Sequence, residues 1–184
     1  MSDSTMSQVM VHLDDILDDL DAIPRIGFAT YRRIPAELLI EHEARSRANC
    51  TYDHMMAEAH RRFIGRQGMR LIEIRGLKVW AIEDHTVIRF KKMDDEGRSR
   101  NYQTKQAKAY DRGESFPEIS APAVRLTVGY LADATATSID RVQVALISGR
   151  RVAWCAAIIP PASRADGSAK WADVTKQSDI LGFG

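Results

Sequence analysis

Residues 69–92 read MRLIEIRGLKVWAIEDHTVIRFKK and carry the clearest structural signal in the chain. Three runs rich in Ile, Val, Trp and Phe, at 69–75, 77–83 and 86–92, are separated by Gly76 and by the polar pair at 84–85. Short runs of this composition between turn residues are typical of β-strands. The stretch therefore predicts a three-stranded meander.

The third run alternates in a way that gives each face of the sheet its own character. Thr86, Ile88 and Phe90 fall on one side, whereas Arg89 and Lys91 fall on the other. Successive side chains of a strand point to opposite faces of the sheet. We therefore expect one apolar face and one basic face.

Working toward the C-terminus, residues 93–123 interrupt the strand pattern. They are polar, contain several Gly and Pro residues, and have the composition of one short helix only around residues 105–110. A connection of this length is uncommon in a compact domain and is often functional. Alternating apolar residues then predict three more strands, at 124–130, 142–146 and 152–158.

Working toward the N-terminus, helical spacing replaces strand alternation. Met10, Leu13, Leu17 and Leu20 recur at intervals of three and four, with aspartates on the opposite face. This pattern predicts an acidic amphipathic helix over residues 7–22 that ends before a proline. Its apolar stripe is interpreted as packing on the domain's own core or on a dimer partner, and the alternative is a partner-binding or self-masking element.

Two further helices are expected before the meander. Pro35 suits the first position of one of them. The other is predicted to begin near Thr51, to place Met55 and Phe63 on an apolar stripe, and to end at a glycine, either Gly65 or Gly68.

Helices followed by strands indicate the α+β class, with the N-terminal helices packed on one face of an antiparallel sheet of about six strands. The opposite face is then expected to be the working surface. The predicted organisation is an acidic amphipathic helix over 1–23, a single α+β domain over 24–159 and a flexible polar tail over 160–184.

The net charge of +1 conceals two segments of opposite sign. The first 23 residues contain six aspartates and no Lys or Arg, whereas residues 60–112 contain fourteen Lys and Arg against seven Asp and Glu. A surface with this excess of positive charge is suited to a polyanion, and the acidic segment could cover it.

Eleven cations of this second segment are called the basic belt: Arg61, Arg62, Arg66, Arg70, Arg89, Lys91, Lys92, Arg98, Arg100, Lys105 and Lys108. Nucleic-acid binding needs several cations on one face, because each neutralised phosphate releases counterions. The alternative is an ordinary solvated or partner-facing surface. The predicted nucleic-acid-binding residues, from the belt and from a polar group beside it, are Arg61, Arg62, Arg66, Arg89, Lys91, Lys92, Asn101, Thr104, Lys105 and Gln106.

Neither a metal nor a cofactor is expected from the sequence. Histidines 54 and 60 are six residues apart, which does not place both on one helical face, and no glycine-rich phosphate loop occurs. Catalysis by His60 or His85 stays a minor alternative, and no reaction is indicated. Cys50 and Cys155 are expected to be reduced packing residues, since no export signal or membrane span is visible and cytoplasm is the expected compartment.

A resemblance is carried by Arg89-Phe90-Lys91-Lys92, the downstream polar residues Asn101, Thr104, Gln106 and Ala107, the run Leu126-x-Val128-Gly129-Tyr130, and Trp154. Over residues 60–158 the chain resembles a group of uncharacterised bacterial proteins. These are encoded beside regulators that join a helix-turn-helix domain to a metallopeptidase-like domain, an arrangement typical of toxin–antitoxin and phage-defence loci.

The resemblance implies a toxin-like effector of a two-gene module, with a cognate antitoxin or regulator protein as its partner. Contact with RNA or DNA through the basic belt would be its mode of action. The alternative is a non-enzymatic assembly module whose acidic helix and open sheet face bind a protein partner. A homo-oligomer formed through the N-terminal helix also stays open.

Overall fold

A computed structural model describes residues 5–100 and 104–176. The α+β class is confirmed: helices precede a sheet of seven strands. The helices are α1 (Met6–His12), α2 (Leu17–Arg32), α3 (Ala36–Leu39), α4 (Ala44–Phe63) and α5 (Lys105–Asp111). The strands are β1 (Met69–Ile74), β2 (Leu77–Ile82), β3 (Thr86–Lys92), β4 (Val124–Ala132), β5 (Ile139–Ser148), β6 (Arg151–Ile158) and β7 (Trp171–Asp173).

The strands lie side by side in sequence order, and every neighbouring pair but one is antiparallel. The exception is β3 with β4, which are parallel over their shared length, from Thr86 opposite Val124 to Lys92 opposite Tyr130. The sheet thus has seven strands rather than about six, and it is mixed rather than fully antiparallel because of this one pair. Parallel neighbours need a long crossover connection, and residues 93–123 provide it.

The acidic segment folds differently from the single helix predicted over 7–22. It forms α1, a 3-10 turn over Asp14–Ile16, and then α2, which continues through Pro24 to Arg32. Pro24 lacks the N–H that would donate to the preceding turn, so the helix loses one hydrogen bond there. Pro24 is itself buried, and packing of the surrounding turns offsets that loss.

The apolar stripe of this segment packs within the chain itself. Met10, Leu13, Leu17 and Leu20 are completely buried in the core between the helices and the sheet. Since α2 spans residues 23 and 24, the acidic segment and the rest of the helical layer are continuous.

The helix predicted from near Thr51 begins seven residues earlier, at Ala44. Its first two turns are polar and mostly exposed, so hydrophobic periodicity gives no signal for them. Farther along, Met55, Ala59 and Phe63 are buried in the core, as the predicted stripe requires.

Residues 160–176 are not the flexible tail that the composition indicated. Trp171 lies half-buried against the core, and β7 pairs with the end of β6. Two ion pairs at 2.6 Å, Arg164 to Asp18 and Lys170 to Asp14, join this segment to the acidic segment. The remainder of the predicted tail lies outside the described residues.

The second face of the sheet is also partly covered. Helix α5 and the segment after it lie on this face. Tyr110 of α5 and Ile119 of the following segment pack with apolar residues of the first three strands, such as Val79 and Val87. The expectation of an open basic working face is therefore wrong at β3, because the long connection folds back over the strand that precedes it.

Both cysteines are free, as expected, but they differ in environment. Cys155 is completely buried, and burial raises the pKa of its thiol to about 12, whereas Cys50 is half-buried on α4. We expect a thiol reagent at about pH 8 to modify Cys50 only, since the thiolate is the reactive form. Absorbance assays should count one reactive thiol in the native protein and two after denaturation, and two fast native thiols would contradict this burial.

Candidate nucleic-acid interface

Two arginines at the end of α4, and a third just after it, are paired with two carboxylates. Arg61 and Arg62 bind Glu58 at 2.6 and 2.7 Å, and Arg62 and Arg66 bind Asp19 at 2.6 and 2.7 Å. Asp19 belongs to the acidic segment, so that segment does cover part of the basic belt. Because α2 is anchored in the core, this cover is a fixed part of the fold and cannot act as a removable mask.

The pKa of Glu58 records the strength of this pairing. Partial burial alone would raise it, but hydrogen bonds from Arg61 and Arg62 lower the pKa below its usual value. These arginines are held in place as structural partners, which makes them poor candidates for phosphate contact.

Arg89 is buried and serves the interior of the fold. Its guanidinium binds the Asp111 carboxylate at 2.5 Å, the Thr127 hydroxyl at 2.9 Å and the Ala107 carbonyl at 3.4 Å. It also lies 4.8 Å from the centre of the Tyr110 ring. The prediction that Arg89 contacts nucleic acid is therefore wrong, since only 1% of the residue is exposed.

The same network attaches α5 to the parallel pair of strands. The Tyr110 hydroxyl donates between two strands, at 2.9 Å from the Val87 carbonyl and 3.0 Å from the Leu126 carbonyl. The Asp111 carbonyl accepts from the Gly149 N–H at 2.7 Å. These links join the crossover helix to β3, to β4 and to the β5–β6 turn, so the arrangement is structural.

The polar group in the crossover has a local role. The Thr104 hydroxyl caps α5 by accepting from the Ala107 N–H at 3.2 Å. Lys105 is exposed and Gln106 is half-exposed on the same helix. Asn101 lies outside the described residues, so its predicted contact is still a prediction.

Lys91 belongs to the last part of β3, which is not paired with β2. The pairing of β3 with β2 ends at Ile88. Its Nζ is 5.4 Å from the centre of the Tyr52 ring on α4. Burial, followed by the positive charge of Arg89, lowers the pKa of Lys91. The aromatic ring compensates part of this cost through cation–π attraction.

Lys92 of β3 and Arg100 of the crossover lie together at the end of β3, where the Arg100 N–H donates to the Lys92 carbonyl at 3.1 Å. The charge of Arg47 from α4 also acts on Lys92, and we call these three cations the cationic cluster. Burial lowers the pKa of Lys92, and the nearby charges of Arg47 and Arg100 lower it further. Among the described residues, Arg47 and Lys92 form no ion pair, and Arg100 has only a loose one, 3.8 Å from Asp94. The cluster thus retains uncompensated positive charge.

The cationic cluster borders an open recess of about 440 Å³. Lys92 and Arg100 are the cations of its lining, and alanines at the end of β4 and in the following loop also line it. The lining residues are Lys92, Met93, Asp94, Asp95, Arg100, Leu131, Ala132, Asp133, Ala134 and Ala136.

The two loops around the recess are held rigidly. Gln143 and Arg141 of β5 donate to the backbone carbonyls of Asp94 and Asp95, at 2.7 and 3.0 Å. The Asp133 carboxylate accepts from hydroxyl and N–H groups of residues 135–138. These bonds lower the pKa of the Asp133 carboxyl group. The charged carboxylate is therefore favoured, and it holds the loop in place.

Arg47 was missed by the sequence analysis because it belongs to a charged run, residues 41–47, in which acidic and basic residues alternate. The useful signal would have been the true start of α4, which places Arg47 on the first turn of the helix, close to the end of β3. Charge counting alone gives no such proximity.

Comparison of the chain with protein-family models, with curated proteins and with solved structures yields no match. Across residues 5–100 and 104–176, no group of three or more His, Cys, Asp and Glu residues is placed to hold a metal ion. Over the same ranges, no helix combines the length and apolar character needed to cross a bilayer.

Proposed function

We propose that this protein contacts nucleic acid through the cationic cluster and acts as the toxin-like effector of a two-gene toxin–antitoxin or defence module. The observation that carries nucleic-acid contact is the convergence of Arg47, Lys92 and Arg100 with little compensating charge. The module assignment rests on the resemblance described for residues 60–158. A cognate antitoxin or regulator is then the expected protein partner.

The electrostatics of the cluster favour an anionic ligand. Like charges placed together on a partly buried surface disfavour their own ionised forms, as the lowered pKa of Lys92 indicates. A phosphate group would relieve this repulsion and release counterions from the nucleic acid. Lys91, next to Lys92 on β3, adds positive charge beside the cluster.

A non-enzymatic assembly module is the second candidate, and a different surface supports it. None of the residues of α3 is buried; its Leu38 exposes 50% of its surface, and the adjoining Ile40 exposes 86%. Exposed apolar side chains of this kind are typical of protein-binding sites. Growth arrest on expression, relieved by the neighbouring gene, would favour the effector; harmless expression with a stable stoichiometric complex would favour assembly.

Simultaneous replacement of the three cluster cations by alanine is expected to weaken nucleic-acid binding and its salt dependence. Each phosphate contact contributes about 0.9 to the slope of log K against log salt on duplex DNA, so the slope should fall by about two to three. Binding of labelled RNA and DNA, measured by anisotropy at several salt concentrations, tests this expectation.

Two single variants provide matched controls for that experiment. Arg61→Ala removes an exposed cation already paired with Glu58, and Arg150→Ala removes one from the β5–β6 turn at the far end of the sheet. Both should leave the slope within about 0.3 of the parent, because neither removes a cation of the cationic cluster. An unchanged slope in the triple variant, or no binding at low salt, would reject the cluster as a nucleic-acid site.

A further inference from the structure

The recess lies where the only two parallel strands of the described sheet end together. β3 ends at Lys92 and β4 ends at Ala132, and both residues line the recess. In sheets with parallel strands, ligands commonly bind outside the carboxyl ends of those strands, where the chain crosses over. The position of the recess is therefore one that favours a small ligand.

Within the part of the chain that the structure describes, the acidic side chains around the recess have hydrogen-bond or ion-pair partners, but one of the cations does not. Asp94 Oδ1 accepts from the N–H groups of Glu96 and Arg98, Asp95 pairs with Lys176, and Asp133 binds its own loop. The acids thus have donors, whereas Lys92 has no anionic partner among the described residues. The site can therefore accept an anionic ligand.

The size of the recess limits how much anion it can take. A volume of about 440 Å³ is near the lower end of small-molecule sites, which span about 300–1,000 Å³. The recess therefore has room for one phosphate and an adjoining nucleoside, and a longer run of phosphates would extend outside it. The alanine methyl groups of the lining provide apolar contacts for a sugar or base.

We propose that the recess binds a terminal phosphate monoester, carried either by a mononucleotide or by the phosphorylated end of a nucleic-acid strand. Lys92 and Arg100 hold the phosphate, and the methyl groups of Ala132, Ala134 and Ala136 contact the adjoining nucleoside. This inference rests on the proposed nucleic-acid function. It specifies that the protein binds the terminal phosphate of a strand rather than phosphates along its length.

The first arm of the test uses small probes. Adenosine monophosphate should bind in calorimetry and be competed by inorganic phosphate, whereas adenosine should bind at least about tenfold more weakly, because it lacks the charge-assisted hydrogen bonds. Lys92→Gln removes a cation, and Ala134→Phe fills the recess without changing any charge. Each should weaken binding of the monophosphate at least about tenfold, and Arg150→Ala should leave it unchanged.

The second arm separates the two sources of the phosphate. A short oligonucleotide with a 5′- or 3′-phosphate should bind at least about tenfold more tightly than its hydroxyl-ended counterpart, and Ala134→Phe should abolish that preference. Equal affinity for both ends, with no binding of the monophosphate, would overturn this inference while leaving salt-dependent nucleic-acid binding intact. Binding of the monophosphate without binding of oligonucleotides would identify a mononucleotide site and overturn the proposed nucleic-acid function.

Thermal unfolding of Lys92→Gln and Ala134→Phe provides the folding control. Lys92 is half-buried and Ala134 is exposed, so both variants should melt within a few degrees of the parent, as surface substitutions generally do. If one variant unfolds early, the other still tests the site, because one changes charge and the other changes only volume.

Discussion

Asp111→Ala is expected to destabilise the protein by about 3 to 5 kcal/mol, because it leaves the Arg89 guanidinium buried without its carboxylate. Both side chains are almost fully enclosed, with 1% and 3% of their side-chain surface exposed. The remaining contacts of Arg89, to Thr127 and Ala107, are neutral and do not balance its charge. Urea unfolding followed by circular dichroism measures the loss.

Two comparisons separate charge burial from simple loss of a contact. Arg89→Met combined with Asp111→Leu removes both charges and should recover most of the stability, since apolar replacement of a buried pair is often neutral. Glu114→Ala removes one partner of an exposed pair with Arg112 and should cost less than about 1 kcal/mol. A loss below about 1 kcal/mol for Asp111→Ala would contradict the burial of this pair.

Trp80→Ala is expected to cost about 3 to 5 kcal/mol, a large share of the 5 to 15 kcal/mol typical of a domain. Only 1% of Trp80 is exposed, and its ring meets that of Phe63 edge to face, with centroids 5.4 Å apart. Removing the indole leaves a cavity between α4 and the sheet. Soluble yield and thermal unfolding should both fall sharply.

Trp171→Ala is the matched control for that loss. Trp171 is half-buried on the short edge strand β7, so its truncation exposes less new surface and leaves no enclosed cavity. Its cost should be clearly smaller than that of Trp80→Ala. Equal melting temperatures for the two variants would contradict the central position of Trp80.

The meander was predictable to within one residue because every cue acted locally. Gly76 and the turn at 84–85 separate three strongly apolar runs, and the structure begins and ends β1, β2 and β3 at those boundaries. The orientation of β4 was not predictable in this way. Its alternation is compatible with either direction, and only the crossover by α5 decides between them.

The candidate site was predicted less well because charge pairing acts between distant residues. Arg62 and Arg66 meet Asp19 across 43 and 47 positions of sequence, and Arg89 meets Asp111 across 22. Alternation correctly placed Arg89 on the face opposite Phe90, but it gave no information about a helix covering that face. Lys92 was identified from the belt, whereas Arg47 became a candidate only once the start of α4 was known.

The ion pairs that join Asp14 to Lys170 and Asp18 to Arg164 set the order in which the protein can be assembled. They connect residues 156 and 146 positions apart, and the stripe formed by Leu13, Leu17 and Leu20 shares its core with strands β4 to β6. Contacts of such long sequence separation form late. On the ribosome, the first helices therefore emerge with their apolar side chains exposed, and they cannot pack until nearly the whole chain has been synthesised. During this period the exposed apolar side chains are expected to be binding sites for chaperones.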